Sequence, residues 1–143
     1  MKFDIVIIGA GPAGLLAAWC LEGTGISYTV IEKGNVYFKR DKELPYDVSY
    51  GFGGAGLFSD GKLSYSPAAS QMWGKLDSKR LHIAYDKTRK LFAKIGVELR
   101  EWSEDWVKNQ NSLKTTIKEY ESVYLNKEQR IRLLDCCRTV RTT

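Results

Sequence analysis

Three glycines near the start of the chain, Gly9, Gly11 and Gly14, stand at the spacing that lets a backbone turn cradle a pyrophosphate, and an acid, Glu32, stands eighteen positions beyond the last of them. The chemistry served by this pattern is recognition of a dinucleotide, not bond breaking. Gly9 permits a tight turn, Gly11 lets the main chain approach the phosphates, and Gly14 lets a helix sit close to the strand beneath it. Pro12 suits the first helical position, because its missing N–H would have no intrahelical partner there. The remaining N–H groups of that turn, from Ala13 and Gly14, face the phosphates together with the positive end of the helix dipole. Glu32 is placed where a carboxylate reaches the adenosine ribose hydroxyls, with Lys33 next to it. A carboxylate there disfavours a 2′-phosphate, so NADP is not the expected occupant.

The elements that must position these residues are readable around them. Asp4 to Ile8 is apolar on both faces after its first residue, which predicts a central parallel strand covered by helices on each side. Ala18 continues the small face of the helix. Gly25 breaks the chain before Ile26, Tyr28 and Val30, which alternate as a second strand ending at Glu32. Strand, turn, helix, strand and acid in that one order argue against a hydrophobic hairpin with chance glycines. The stretch Ile5–Leu21 is short for a bilayer span of about 20 residues and is interrupted by glycines and a proline. A secretory signal is disfavoured by Asp4 in its leading region and by Trp19 before Cys20. A cytoplasmic chain that keeps the glycine turn is expected.

A second glycine-rich segment runs from Gly51 to Leu63, with five glycines in its first eleven positions. Glycines lose much conformational freedom on ordering, so a bland loop would not gather them. Their expected use is close approach of backbone N–H groups to a ligand, with Ser59 and Lys62 as side-chain donors near developing negative charge. A flexible linker would be rich in Gly and Ser, whereas Phe52, Leu57, Phe58 and Leu63 are interleaved here.

With both segments in view, the chain resembles a family. The run GAGPAG is similar to the FAD pyrophosphate loop of flavoproteins with two dinucleotide-binding domains, and GFGGAGLFSDGKL closely resembles the glycine segment of a group of FAD-dependent dehydrogenases. Gly9, Gly11, Gly14 and Glu32 match that family's first FAD motif. The resemblance implies that Gly53, Gly54, Ser59 and Lys62 lie near the cofactor, along its diphosphate and flavin. It is strong from Phe3 to Leu63 and fades to helical pattern after Ser66. Members of the group are several times longer and carry a later glycine-aspartate motif and a substrate domain, which these residues lack. An N-terminal fragment is therefore expected. Disulfide reductases of the wider superfamily place a redox cysteine pair after the second strand. Residues 34–63 contain no cysteine, so dithiol chemistry is disfavoured.

Composition sets further bounds. At 143 residues and 43% hydrophobic, one soluble domain is the natural expectation. The net charge of +5 comes from Lys and Arg scattered among acids, without the compact basic block that nucleic acid requires. Three cysteines, Cys20, Cys136 and Cys137, fit a reducing compartment better than a disulfide framework. With a single histidine, His82, no metal site is expected, and His82 reads as a helix-surface or packing residue.

The remainder reads as helices and connections. Ser78 is a plausible N-cap for a helix whose stripe is Leu81, Tyr85, Thr88, Phe92 and Ile95, closed by Gly96. Trp102 and Trp106 share a face if residues 103–109 are helical, and residues 115–126 form a second amphipathic candidate. Residues 131–134 look like the start of a strand, and the charged run Lys39–Pro45 looks like solvated linker.

These features predict an α/β Rossmann-type dinucleotide-binding fold, incomplete and followed by helical segments, with residues 1–66 as the FAD-binding part and residues 67–143 as a mainly helical continuation. FAD is the expected cofactor. Lys62 could stabilise reduced flavin, contact a phosphate or face solvent, and no catalytic residue is assigned. Two alternatives remain open, an NAD-binding Rossmann protein and a non-catalytic remnant that binds a partner. The substrate, the electron partner and any chain supplying the rest of the enzyme are not identified by sequence, and no membrane partner is expected.

Overall fold

A computed structural model describes residues 2–65, 77–112 and 122–135. In chain order the elements are β1 (Ile5–Ile8), α1 (Pro12–Leu21), β2 (Tyr28–Ile31), α2 (Pro45–Ser49), β3 (Lys62–Ser64), α3 (Ser78–Ala93), α4 (Glu104–Ser112), β4 (Ser122–Tyr124) and α5 (Lys127–Asp135), with 3-10 turns at Tyr37–Lys39 and Ala55–Phe58. They fall into two compact units, one made of the residues up to Gly61 with those from Asn126 onward, the other of Lys62–Leu125.

The first unit is built on β1 and β2, which run parallel and pair Ile5 with Tyr28 through Ile8 with Ile31. Asp4 sets this register from outside the ladder. Its carboxylate accepts from the hydroxyl and the N–H of Ser27, at 2.6 and 3.0 Å, and its own N–H donates to the Ser27 carbonyl. The Ser27 hydroxyl and N–H bonds hold the Asp4 carboxyl below its ordinary range. Helix α1 then crosses between the strands and lays Leu15 and Ala18 on Ile7 and Val30. Phe52 and Leu134 complete this core.

Among the described residues the expected cover on both faces of β1 is not found. Residues facing α1 are shielded, but Val6 and Ile8 on the opposite face are 52% and 86% exposed, and Ile31 of β2 is 44% exposed. The apolar character of β1 on both sides therefore exceeds what these elements bury. Ile8→Thr should leave stability within about 0.5 kcal/mol, because it removes little buried area and keeps a β-branched side chain. It should also reduce concentration-dependent association in sedimentation. Unchanged association would mean that this face is not the adhesive one.

Two further expectations for this unit are corrected. Lys39–Pro45 is not solvated throughout, since Arg40 is only 8% exposed and turns inward. Residues 131–134 belong to helix α5, not to a strand. A reciprocal cap starts that helix. The Asn126 side-chain oxygen accepts from Gln129 N–H at 2.8 Å, and the Gln129 side-chain oxygen accepts from Asn126 N–H at 3.0 Å. Leu134 is then carried into the core.

In the second unit β3 and β4 form an antiparallel pair, Lys62 opposite Tyr124 and Ser64 opposite Ser122. The helix expected over residues 115–126 thus gives way to a strand at Ser122–Tyr124, while residues 115–121 lie outside the described residues. Helix α3 carries the expected stripe, with Tyr85 and Phe92 buried, Ile95 buried just beyond its end, and Gly96 at φ +78° in the closing turn. Its cap is Asp77, not Ser78, because the Asp77 carboxylate accepts the Arg80 N–H at 2.9 Å. Trp102 precedes α4, and Trp106 lies within it. Both rings flank Tyr85, at 5.8 and 5.5 Å between centroids. His82 stacks on Trp102 at 4.8 Å, 7° from parallel, and reaches Asp86 at 3.4 Å, as expected of a helix-surface packing residue. Cys136 and Cys137 lie outside the described residues. Among the described residues no helix is long and apolar enough to cross a membrane.

Candidate dinucleotide-binding site

The turn between β1 and α1 shows three different uses of glycine. Gly9 sits at φ +97°, which L side chains rarely adopt, and its N–H donates to the Ile31 carbonyl at 2.7 Å, tying the turn to the end of β2. A Cβ on Gly14 would overlap the Gly9 carbonyl oxygen and press on the Ile7 side chain at 3.3 Å, so this glycine permits the contact between helix and strand. Gly11, the N-cap of α1, has φ −75° and open space where its Cβ would point.

The first intrahelical bond runs from Leu15 N–H to the Gly11 carbonyl at 3.0 Å. The N–H groups of Ala13 and Gly14 precede that ladder and lie at the positive end of α1. Pro12 occupies the first helical position, as its chemistry favours.

Glu32 joins three segments of backbone. One carboxylate oxygen accepts from Ala10 N–H at 2.7 Å, and the other accepts from Gly34 at 2.9 Å and Gly51 at 3.2 Å. The oxygen bound to Ala10 carries a second acceptor position suited to a ribose hydroxyl. Burial by itself would raise this carboxyl's pKa, but the N–H bonds from Ala10, Gly34 and Gly51 together outweigh it, and the net shift is downward. A depressed carboxyl contributes stability above its unfolded pKa and loses it as pH falls through the folded value. The ligand-free wild type should therefore lose more stability than Glu32→Gln as pH falls below 4.5, the ordinary value for this group. Parallel acid-unfolding curves for the two proteins would contradict that linkage.

The glycine segment lies across the turn as a strap. Gly53 N–H donates to the Ala10 carbonyl at 2.8 Å, and a Cβ on Gly54 would stand 3.2 Å from Pro12 Cδ and 3.3 Å from Gly11 Cα. The N–H groups of Gly51, Gly53 and Gly54 all donate to protein oxygens. In this structure these three glycines serve the approach of strap to turn, and the Ala13 and Gly14 N–H groups precede the α1 ladder. Ser59 caps its own turn, donating to the Gly56 carbonyl at 2.9 Å and accepting from Gly61 N–H at 3.1 Å. Arg130 of α5 donates to the Ser59 carbonyl. Lys33 places its ammonium 3.3 Å from the centroid of the Tyr50 ring, one residue before the strap. Lys62 opens β3 and is part of the second unit. Gly9, Gly11, Pro12, Ala13, Gly14, Glu32, Gly53 and Gly54 are thus brought together within the first unit.

Sequence reading missed Arg40. Its Nε donates to the Asp47 carbonyl at 2.8 Å, Nη1 to the carbonyls of Phe52 at 2.8 Å and Gly54 at 2.9 Å, and Nη2 to Val48 at 3.2 Å. The Phe58 ring lies 4.8 Å away, and the buried Asp47 carboxylate accepts from Asn35 and Asp41 N–H. Burial lowers the Arg40 pKa, while the charges of Asp47 and Glu32 raise it. An arginine in a charged run carries no sequence mark of such a position.

Strand, glycine turn, helix and acid-tipped parallel strand define a Rossmann-like dinucleotide-binding domain. Comparison with known proteins agrees, since residues 7–76 match the NAD(P)-binding Rossmann-like domain family. An uncharacterized protein of Clostridium beijerinckii is 40% identical over 75 residues, covering 45% of this chain and 14% of that protein. Digeranylgeranylglycerophospholipid reductase 2 of Methanopyrus kandleri is 35% identical over 57 residues, or 40% of this chain and 13% of the reductase. Thiamine thiazole synthase of Aeropyrum pernix is 43% identical over 35 residues, covering 24% and 13% of the two chains. The similarity thus spans a small part of each relative's length.

Proposed function

We propose that this chain is the FAD-binding segment of a flavin-dependent oxidoreductase acting as a dehydrogenase. The observation that carries the reading is the glycine strap seated on the pyrophosphate turn, with Glu32 bonded to both. A dinucleotide needs the turn and the acid. The strap is an added element, and its sequence GFGGAGLFSDGKL is the part that resembles FAD-dependent dehydrogenases. A relative named as a reductase supports redox use of the domain. In this reading Gly9, Gly11, Pro12, Ala13, Gly14, Glu32 and Lys33 hold the adenosine pyrophosphate half. Gly53, Gly54 and Ser59 lie toward the flavin. The flavin would supply the hydride chemistry, while these residues bind and orient it. Residues 1–66 then form the nucleotide part and residues 67–143 its continuation, in a cytoplasmic protein.

The matching family's NAD(P) description favours a second reading, in which NAD occupies the same turn. Calorimetric titration of the purified chain with FAD and with NAD separates them. Saturable but weak FAD binding is expected. NAD binding without FAD binding would overturn the flavin reading. Dye reduction by this chain should not exceed that of free FAD, and turnover many-fold above it would show that these residues suffice for catalysis.

A further inference from the structure

Arg40 is a buried cation for which the dinucleotide site as described has no use, yet every part of it that can donate is engaged on the loop around that site. Its Nη1 draws in the carbonyls of Phe52 and Gly54, and its side chain fills the space a Cβ on Gly51 would take, 2.9 Å from Arg40 Cδ. A trans peptide points its C=O and N–H in opposite directions. Drawing the Phe52 carbonyl toward Arg40 therefore turns the N–H of Gly53 the other way, where it meets the Ala10 carbonyl at 2.8 Å. One guanidinium thus sets which side of the strap faces the turn.

We propose that Arg40 is a positioning residue for dinucleotide binding: its planar fork orders the strap from Gly51 to Phe58 against the turn from Gly9 to Gly14, so that strap order and dinucleotide affinity change together. The proposal rests on the reading of this site as an FAD site. A lysine cannot replace the fork, because its single ammonium cannot meet carbonyls from Asp47, Val48, Phe52 and Gly54 in the planar pattern they present. Asp47 and Asn35 fix the segment from which Arg40 reaches, and Phe58 covers the guanidinium. The strap is therefore anchored on its outer side by Arg40 and on its inner side by Ala10.

The test is FAD titration of the full chain as wild type, Arg40→Lys and Arg40→Ala, with ligand-free melting recorded for each and hydrogen exchange followed at the strap amides. Both variants should bind FAD at least about tenfold more weakly, about 1.4 kcal/mol. Methylguanidinium should restore affinity to Arg40→Ala, and methylammonium should not. In the wild type, FAD should slow exchange at residues 53–58, and this protection should be lost in Arg40→Lys. Gly54→Ala, which crowds Pro12 and Gly11 from the inner side, should weaken FAD in the same way without touching Arg40. A folded Arg40→Lys that melts lower yet binds FAD like the wild type would overturn the proposal and leave the FAD reading intact. So would unchanged strap exchange when FAD binds the wild type, an arm that needs no variant to fold. A wild type that does not bind FAD overturns the reading beneath it.

Discussion

Gly14→Ala is expected to unfold the first unit, whereas Gly11→Val, three residues away in the same motif, should leave it folded and lose the nucleotide. The added methyl at Gly14 would fall on the Gly9 carbonyl oxygen and against Ile7; Ile7 is held by the β1–β2 pairing and Gly9 by its N–H bond to the Ile31 carbonyl, so neither withdraws freely. Overpacking of this kind costs about 1–3 kcal/mol and occasionally more, and a backbone obstacle belongs at the upper end. At Gly11 the extended backbone accepts a β-branched residue, and open space receives its side chain. The cost is the weaker N-cap, about 1 kcal/mol at most. The same side chain fills the opening through which a pyrophosphate must approach, so FAD affinity should fall at least about tenfold. Urea unfolding followed by titration reads both results. A Gly14→Ala protein as stable as wild type would show that the helix can lift from the strand. Undiminished FAD binding by folded Gly11→Val would remove this turn as the site.

Glu32→Ala should damage both fold and binding, unlike a residue that only touches ligand. Ala10 is fully buried, and without the carboxylate its N–H has no partner, at a cost of about 1–3 kcal/mol. The N–H groups of Gly34 and Gly51 lose theirs as well; water can partly replace the carboxylate at half-buried Gly34, whereas Gly51 is buried. On the proposed reading, loss of Glu32's bond to the ribose should weaken adenine nucleotides by roughly 1–3 kcal/mol in addition. Glu32→Gln should fall between, since its one oxygen can serve Gly34 and Gly51 while its NH₂ confronts the Ala10 N–H. Ligand-free Glu32→Ala unfolding at the wild-type urea concentration would refute the structural role. Equal weakening of FAD and of FMN, which lacks the adenosine, would confine Glu32 to that role.

Sequence by itself determined the turn, its helix, the flanking strands and the acid, because each rests on short-range rules. Gly9, Pro12 and Gly14 answer local demands of dihedral angle, missing donor and close approach, and the alternation of Tyr28 and Val30 marks β2 as a strand. The stripe of α3 was legible for the same reason. Residues 131–134 misled because four mainly apolar positions suit either period, and the Asn126–Gln129 cap decided for helix. Residues 122–124 joined a strand because β3, far away in sequence, offers its edge. The two-sided apolar character of β1 could not say that α1 would cover only one side.

The rest of the candidate site was decided by tertiary structure. Nothing local marks Arg40, since its partners are backbone carbonyls, which every residue possesses, and only folding converges Asp47, Val48, Phe52 and Gly54 on one guanidinium. Nor does spacing reveal that Glu32 bonds the strap as well as the turn, because Gly51 N–H reaches it only after the intervening chain has folded back. Short motifs encode what neighbours along the chain must do. The assembly of strap, acid and turn depends on non-local hydrogen bonds between groups that carry no sequence signature, and only the folded chain brings them together.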